Sequence, residues 1–195
     1  LGWIKEKYPE LLILEYAADR PGDIKHLLSI ARPNISIITA VGDIPVHVEF
    51  YAGPEEVARE KGRLIEYLPS SGFAVLNSDD ETVMALKDRT RANVMTFGFA
   101  RGADMRITNF ETKASDLKPL GISFKLEYGG SVVPVRLLNV FGRAQAYASA
   151  AAACVGIIFG FNLVKISDGL KNYTPLVGRM RLVTGQKSAL ILDDG

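Results

Sequence analysis

The chain has 195 residues, which is long enough to bury the core of one sizeable domain and too short for a large multidomain machine. Hydrophobic residues make up 48% and charged residues 23% of the chain, and this balance excludes wholesale disorder, collagen-like repeats and coiled coil. The formal net charge is +1, so no overall basic field points to nucleic acid or to an anionic membrane surface.

The first half of the chain alternates predicted strands with predicted helices. Continuous apolar runs, such as Leu11-Leu12-Ile13-Leu14, predict strands buried on both faces, and apolar residues at helical spacing predict helices between them. The predicted elements are strand 11–14, helix 24–31, strand 35–39, helix 54–68, strand 73–77 and helix 81–87. This alternation is typical of βαβ units, and it predicts an α/β fold with a doubly wound, mainly parallel sheet.

From residue 93 onward the pattern changes to strand after strand. Residues 122–128 alternate apolar and polar side chains, and Gly129-Gly130 predicts a tight hairpin onto residues 132–138. The sequence therefore predicts an antiparallel hairpin or flap, within residues 93–140, appended to the main sheet.

The chain is predicted to return from this flap through helices. The run 144–164 carries no charge and is long enough to span a bilayer, but its many alanines with serine and glutamine indicate a helix packed closely on the sheet. A helix over 163–170 and two strands, around Leu182 and Leu190, follow. We expect the last strand to join the main sheet because of its apolar content.

Both ends of the sequence predict an internal domain of a longer protein. Leu1 is not an initiator methionine, and no signal-peptide pattern follows it. The chain stops at Asp193-Asp194-Gly195, directly after a strand-like run. A single cysteine, Cys154, excludes an internal disulfide framework, which suits a cytoplasmic protein.

Side chains that follow a predicted strand are the first functional candidates, because ligands of a doubly wound sheet bind beyond the carboxyl ends of its strands. Glu15 follows residues 11–14, where a carboxylate can hold Mg²⁺ over nucleotide phosphates or simply cap a neighbouring helix. His47 lies in the loop after the second strand, where an imidazole can be a second metal ligand, although a lone histidine is usually structural. Lys61 lies among other charges on a predicted helix, and composition alone favours an ordinary exposed lysine.

Phosphate-binding loops of the two common kinds are absent from the sequence. Neither G-x-x-x-x-G-K-[ST] nor G-x-G-x-x-G occurs in it. If the protein handles a nucleotide, we expect the phosphate-binding loop to precede Leu1.

A series of short blocks stands in a fixed order along the chain. The blocks are Leu14-Glu15-Tyr16-Ala17-Ala18-Asp19-Arg20-Pro21-Gly22-Asp23-Ile24, Ala31-Arg32-Pro33, Thr39-Ala40-Val41-Gly42, His47-Val48-Glu49-Phe50, Glu60-Lys61-Gly62, Val75-Leu76-Asn77-Ser78-Asp79-Asp80, Thr96-Phe97-Gly98, the alanine-rich run after Gly142-Arg143, Val177-Gly178-Arg179-Met180 and Asp193-Asp194. This series resembles the Mur ligases, and within that family the likeness is greatest to the type that joins D-alanyl-D-alanine to UDP-N-acetylmuramoyl-tripeptide. The match covers essentially the whole chain, and the ordered series is far more specific than any one block.

The resemblance implies that residues 1–195 are the central ATP-binding domain of an amide ligase, incomplete at both ends. Such an enzyme phosphorylates a peptide carboxylate with ATP, and an amine then displaces the phosphate. The implied substrates are UDP-MurNAc-tripeptide and D-alanyl-D-alanine, held by flanking domains, and the implied cofactors are ATP and Mg²⁺. The implied setting is cytoplasmic peptidoglycan precursor synthesis, and this chain alone is expected to be inactive.

The same likeness implies a set of metal-binding residues. Glu15 and His47 would each hold one of two Mg²⁺ ions. Lys61, which stands at the family's spacing from His47, would be carbamylated and would support a magnesium ion through the oxygens of its carbamate. Two residues, Ile44-Pro45, lengthen the loop before His47 relative to the family's usual pattern.

The likeness also implies nucleotide contacts. Arg179 would contact the γ-phosphate as the acyl phosphate forms, Asp194 would bind near the ribose, and Gln145 could hydrogen-bond an adenine edge. The family commonly has further polar residues where this chain has Ala144 and Ala148. That departure keeps open a Mur-like binding or scaffolding module that has lost catalysis. Another Mur ligase specificity, or another enzyme of the same fold class, also remains open.

Overall fold

The computed structural model describes residues 9–41, 50–115 and 118–194. The described residues form a mixed α/β domain whose helices and strands follow the predicted order from residue 23 onward. In chain order they are α1 Asp23–Ile30, β1 Ile35–Ile38, α2 Pro54–Glu66, β2 Phe73–Asn77, α3 Glu81–Met84, β3 Asn93–Gly98, β4 Met105–Ser115, β5 Lys118–Tyr128, β6 Ser131–Leu138, α4 Arg143–Ile158, α5 Leu163–Leu170, β7 Arg181–Thr184 and β8 Leu190–Asp193.

One sheet takes up six of these strands in the order β1-β2-β3-β4-β5-β6. Strands β1 to β4 pair parallel with one another, and β5 pairs antiparallel with both β4 and β6. On β2, Ala74 and Leu76 pack into one hydrophobic cluster while Val75 packs into the other. Since successive side chains of a strand point to opposite faces, the two clusters lie on opposite sides of the sheet. The predicted doubly wound, mainly parallel α/β fold with an antiparallel addition is confirmed.

Helices α2 and α3 cover the β1–β2 part of one face, and α4 and α5 cover the β3–β6 part of the other. On α4, Ala146, Ala150 and Ala153 are completely buried, so their small side chains bring the helix close to the sheet. This confirms the predicted packing of the uncharged run. No helix within residues 9–41, 50–115 and 118–194 is long and apolar enough to cross a membrane.

The predicted hairpin between β5 and β6 forms at the expected place. Tyr128 pairs with Ser131, and the two residues between them, Gly129 and Gly130, have φ of +54° and +79°. A two-residue turn of this kind needs positive φ at both central positions, which glycine adopts without strain. Within the six-stranded sheet the antiparallel pairing is confined to 105–138, because β3 pairs parallel with both of its neighbours.

The prediction of a buried strand at residues 11–14 is wrong for this structure. These four residues form no strand, and their side chains are exposed, with Leu12 at 59% and Ile13 at 83%. A strand buried on both faces needs hydrogen-bonded neighbours and packed layers. Within the described ranges β1 pairs with β2 alone, and no strand lies beside residues 11–14. The apolar side chains of residues 11–14 are therefore exposed, because apolar content alone does not bury a segment.

The prediction that the last strand joins the main sheet is also wrong. Strand β8 pairs antiparallel with β7 in a separate two-stranded sheet, in which Leu182 lies opposite Leu192. Only a short connection separates β7 from β8, so this local pairing needs little loop closure. The side chains of Leu190, Ile191 and Leu192 remain partly exposed.

Candidate functional site

The carboxyl ends of β1, β2 and β3 meet at one edge of the sheet, where ligands bind in folds of this kind. The side chain of Asn77, the last residue of β2, donates from Nδ2 to the Thr39 carbonyl oxygen at 2.8 Å. The next backbone amide, of Ser78, donates to the Phe97 carbonyl oxygen of β3 at 2.8 Å. The three strand ends are therefore tied to one another by hydrogen bonds across the edge.

Asp79 gathers several hydrogen-bond donors at this edge. Its Oδ2 accepts from the backbone amide of Phe99 at 2.6 Å and from the Tyr147 hydroxyl at 2.8 Å, and its Oδ1 accepts from the Ala100 amide at 2.8 Å. Partial burial opposes ionisation, but these bonds and a long one from Ser78 outweigh it, so the Asp79 pKa lies below its ordinary value of 3.8. The carboxylate joins the loops after β2 and β3 to α4.

Tyr147 completes this connection from the helix side. Burial, reinforced by Asp79, raises the pKa of the Tyr147 hydroxyl to about 12, so the hydroxyl stays protonated and remains a donor near neutral pH. Its ring stacks edge-to-face on Phe99 with the centroids 5.2 Å apart. The Arg143 guanidinium lies 4.0 Å from the centroid of the same Phe99 ring, within cation–π range. The first turns of α4 are therefore fastened to the strand-end loops.

Gly98 allows the close approach on which this arrangement depends. A Cβ at Gly98 would lie 2.5 Å from the Ser78 Oγ and 2.7 Å from the Asp79 Oδ1. Both distances are shorter than real Cβ contacts, so any larger residue would force the Asp79 carboxylate to move.

Lys61 lies at the same edge rather than on a solvated helix face. From α2 its Nζ donates to the Ala40 carbonyl oxygen, in the loop after β1, at 3.3 Å. Burial lowers the pKa of the Lys61 amine, and the nearby Asp80 carboxylate opposes this in part. Asp80 itself accepts from the Val41 amide and caps α3 by accepting from the Val83 amide, both at 2.9 Å. Lys61 thus faces a polar, partly desolvated loop region.

The neighbouring residue Glu60 has a separate, structural role. It is 4% exposed, and its Oε1 accepts from the backbone amides of Gly22 at 2.9 Å and Ile24 at 3.1 Å, at the start of α1. Its Oε2 accepts from the Arg63 Nε at 2.9 Å. This buried carboxylate therefore fixes the beginning of α1 against α2.

The first turn of α4 also meets the turn that carries Arg179. The Oε1 of Gln145 accepts from the Tyr173 hydroxyl at 3.0 Å, and its Nε2 donates to the Arg179 carbonyl oxygen at 3.5 Å. Asp194 accepts from the Met180 amide at 3.2 Å. Gln145 and Asp194, both implied by the family resemblance, therefore bind the backbone of the turn that carries Arg179.

The structure describes only two of the three predicted metal-binding residues. Glu15 is exposed and follows the extended residues 11–14, and His47 lies outside the described residues. In the ranges 9–41, 50–115 and 118–194, no three histidine, cysteine, aspartate or glutamate side chains come together as a metal-binding group. The predicted set of Glu15, His47 and Lys61 remains a prediction.

Sequence reasoning did not select Asp79 as a site residue. Asp79 stands two residues after the end of β2, so the strand-end rule applied to Glu15 selects it as well. Tyr147 and Tyr173 carry no such signal, because their hydroxyl partners lie 68 and 28 residues away in sequence.

A mainly parallel α/β domain with polar loops gathered at the strand ends defines the class of protein, and comparison with known proteins gives the family. Residues 3–156 match the Mur ligase middle domain. The chain therefore belongs to the Mur ligase family, as its middle domain.

Individual relatives agree with this assignment. The UDP-N-acetylmuramoyl-tripeptide--D-alanyl-D-alanine ligase of Mycobacterium leprae is 28% identical over 193 residues, which cover 95% of this chain and 37% of that protein. The UDP-N-acetylmuramoyl-L-alanyl-D-glutamate--2,6-diaminopimelate ligase of Geobacillus thermodenitrificans is 30% identical over 156 residues, covering 75% of this chain and 30% of that protein. The chain thus spans about a third of the length of these relatives.

A solved structure extends the likeness to three dimensions. The crystal structure of the MurF ligase from Thermotoga maritima, in complex with ADP, superposes with a TM-score of 0.81 at 28% identity. The match covers 96% of this chain and 42% of that one. The predicted family resemblance is confirmed.

Proposed function

We propose that this chain is the ATP- and Mg²⁺-binding middle domain of a ligase that adds D-alanyl-D-alanine to UDP-MurNAc-tripeptide in peptidoglycan precursor synthesis. The observation that carries the proposal is the junction at the start of α4. There Tyr147 reaches the strand-end loops through Asp79, and Gln145 reaches the Arg179 turn. The ADP in the related Thermotoga maritima structure supports a nucleotide as the ligand of this domain.

In the proposed reaction, the tripeptide carboxylate attacks the γ-phosphorus of ATP, which gives an acyl phosphate and ADP. The amine of D-alanyl-D-alanine then attacks the acyl carbon, and inorganic phosphate leaves. Arg179 is the residue of this chain that would neutralise charge on the transferring phosphoryl group, because a guanidinium fits phosphate oxygens in a fork geometry. Asp194 would contact the nucleotide near its ribose, and Gln145 would contact the adenine.

Glu15, His47 and Lys61 are the residues proposed to hold Mg²⁺. A bound Mg²⁺ would neutralise phosphate charge and align the phosphates for attack. The carboxylate of Glu15 and a carbamate on Lys61 fit Mg²⁺, because Mg²⁺ prefers oxygen ligands and the carbamate would replace an ammonium with carboxylate-like oxygens. His47 would add a nitrogen ligand. Only an uncharged amine adds to CO₂, and the partly buried Lys61 amine, beside the Ala40 carbonyl, is drawn toward that form.

Two other functions have support of their own. Ala144 and Ala148 are exposed on the first turns of α4 and offer no side-chain hydrogen bond, which favours a Mur-like binding module without catalysis. The diaminopimelate-adding relative, at 30% identity, favours another substrate within the family. In each case we expect a cytoplasmic protein in which the UDP-sugar peptide and the amine bind to parts outside this chain. The 195-residue chain by itself is expected to be inactive.

The decisive experiment measures phosphate release by the complete protein that carries this chain. MgATP is supplied with UDP-MurNAc-tripeptide and D-alanyl-D-alanine together, and then with each one omitted. Release that requires both substrates supports the proposal. A second assay supplies UDP-MurNAc-L-alanyl-D-glutamate and 2,6-diaminopimelate, and release there instead would reassign the specificity. No release with any combination would favour the non-catalytic module.

A further inference from the structure

The turn that carries Arg179 has an uncommon backbone conformation. Gly178 has φ of +71°, and Met180 has φ of +53°, in the left-handed region that residues other than glycine seldom occupy. A side chain such as that of methionine is strained there unless surrounding contacts hold it. The position of Arg179 between these two residues therefore depends on what holds the turn.

The carboxyl end of β8 holds one side of the turn. The Asp193 carboxylate accepts from the Gly178 amide at 3.0 Å, and the Asp194 carboxylate accepts from the Met180 amide at 3.2 Å. The amides before and after Arg179 are thus both bound by carboxylates at the carboxyl end of β8, and the Arg179 carbonyl oxygen lies between them.

The start of α4 holds the other side through Gln145. Because the Gln145 Oε1 takes its hydrogen bond from Tyr173, the Nε2 of the same amide is directed toward the Arg179 carbonyl oxygen, 3.5 Å away. The Met180 side chain packs at the same place, since a Cβ on Gly142 would lie 3.4 Å from its Cε. Tyr173 in turn is fixed just after α5 by its backbone amide, which donates to the Leu170 carbonyl at 3.0 Å.

We propose that Gln145 and Tyr173 are positioning residues that fix the Arg179 turn in the orientation required for phosphoryl transfer. Tyr173 orients the Gln145 amide, and Gln145 fixes the carbonyl of Arg179. This inference rests on the proposed ligase function, because only there does Arg179 act on the phosphate. It assigns to Gln145 a role beyond any contact with adenine, and to Tyr173 a role that its sequence position does not suggest.

The test uses the complete protein and compares Tyr173→Phe, Gln145→Ala and Arg179→Ala. Tyr173→Phe removes only the hydroxyl, so we expect kcat to fall about tenfold, or ~1.4 kcal/mol, with the KM for MgATP changed less than about twofold. Gln145→Ala should lower kcat at least as much. In the Arg179→Ala background, Tyr173→Phe should cost less than about twofold more, because the residue that it positions is gone.

Ser167→Ala is the matched control. It also removes one hydroxyl hydrogen bond, to the Pro134 carbonyl oxygen at 2.7 Å, from the same helical region, but Ser167 does not contact the Arg179 turn. Its thermal stability should fall while kcat is unchanged.

Three outcomes would overturn the inference. An unchanged kcat for Tyr173→Phe in an active parent would remove it alone, and so would an equal tenfold loss with and without Arg179. A parent enzyme that releases no phosphate with both substrates would remove the proposed function and this inference with it.

Discussion

Two apolar runs of the same kind end differently in this molecule. Residues 73–77 and residues 11–14 both read as strands buried on two faces, but only the first becomes β2, where Leu76 is completely buried. Strand β2 has hydrogen-bonded neighbours on both sides, β1 and β3, and helices over its faces. Residues 11–14 have no such neighbours among the described residues. Apolar content shows that a segment can be buried, while its partners determine whether it is.

The carboxylates that follow the two runs differ in the same way. Asp79, after β2, receives amide hydrogens from Phe99 and Ala100 and the hydroxyl hydrogen of Tyr147. Glu15, after residues 11–14, is exposed. A carboxylate at a strand end is held in place when adjacent loops supply hydrogen-bond donors to it. The effects of substitutions after β2 and after residues 11–14 can therefore be measured separately.

The largest effect is expected from Lys61, which lies on α2 at the same edge of the sheet as the end of β2. In the complete protein, Lys61→Ala should lower the rate of ligation at least about a thousandfold, or ~4 kcal/mol, because the proposed carbamate could no longer form. Steady-state phosphate release measures this. Added short carboxylic acids should restore part of the rate, and unchanged turnover would contradict the carbamate.

Stability should separate the two runs directly. Leu76→Ala in β2 should lower the free energy of unfolding by about 3 kcal/mol, the usual cost of removing a fully buried leucine side chain. Leu12→Ala is its matched control, and at 59% exposure it should cost less than about 0.5 kcal/mol. Urea denaturation of both variants measures the difference. Equal losses would mean that residues 11–14 are buried in solution.

Glu15 tests whether the exposed segment still takes part in chemistry. Glu15→Gln keeps the size of the side chain but removes its charge, so a metal ligand at this position should cost about a hundredfold in Mg²⁺-dependent turnover, or ~2.7 kcal/mol. The readout is the rate of phosphate release as Mg²⁺ is varied. A rate within about threefold of the parent would show that Glu15 is not a ligand.

The smallest effect concerns pH and Asp79. Because its folded-state pKa is lowered below 3.8, the ionised carboxylate stabilises the fold above the unfolded-state pKa, and this contribution disappears as pH falls through the folded-state value. Asp79→Asn should therefore be less stable than the parent at pH 6, and the gap should narrow below about pH 4.

Thermal denaturation between pH 6 and pH 3 measures this gap. Tyr147→Phe, which removes one of the donors to Asp79 and leaves the backbone amides, should show a smaller change of the same sign. A gap between the parent and Asp79→Asn that stays constant across this range would contradict the lowered pKa.

Local patterns were sufficient to predict much of the fold. The bounds 73–77 and 163–170 match β2 and α5, and the hairpin at Gly129-Gly130 forms as predicted, because period and turn chemistry are written in adjacent residues. The pairing of β8 was missed because apolar content indicates burial without indicating a partner. The residues of the candidate site likewise divide into those that the sequence predicts and those that it does not.

The family resemblance selected Gln145, Arg179 and Asp194, and in the structure Gln145 and Asp194 bind the backbone of the Arg179 turn. The hydroxyl contacts of Tyr147 and Tyr173 join segments far apart in sequence, so no local rule finds them. Glu60 is similar, because its charged neighbours suggest a solvated face, whereas its carboxylate is buried against the start of α1.

The buried alanine face of α4 links the packing of the core to the position of the side chains at the sheet edge. Ala146, Ala150 and Ala153 set the spacing between this helix and the sheet, and Gln145 and Tyr147 are carried on the same rigid helix. A larger residue at any of these alanines would act as a wedge that lifts the helix. The hydrogen bonds to Asp79 and to the Arg179 turn would lengthen together. In the proposed ligase, substitutions of these buried alanines would then change turnover without altering Gln145 or Tyr147 themselves.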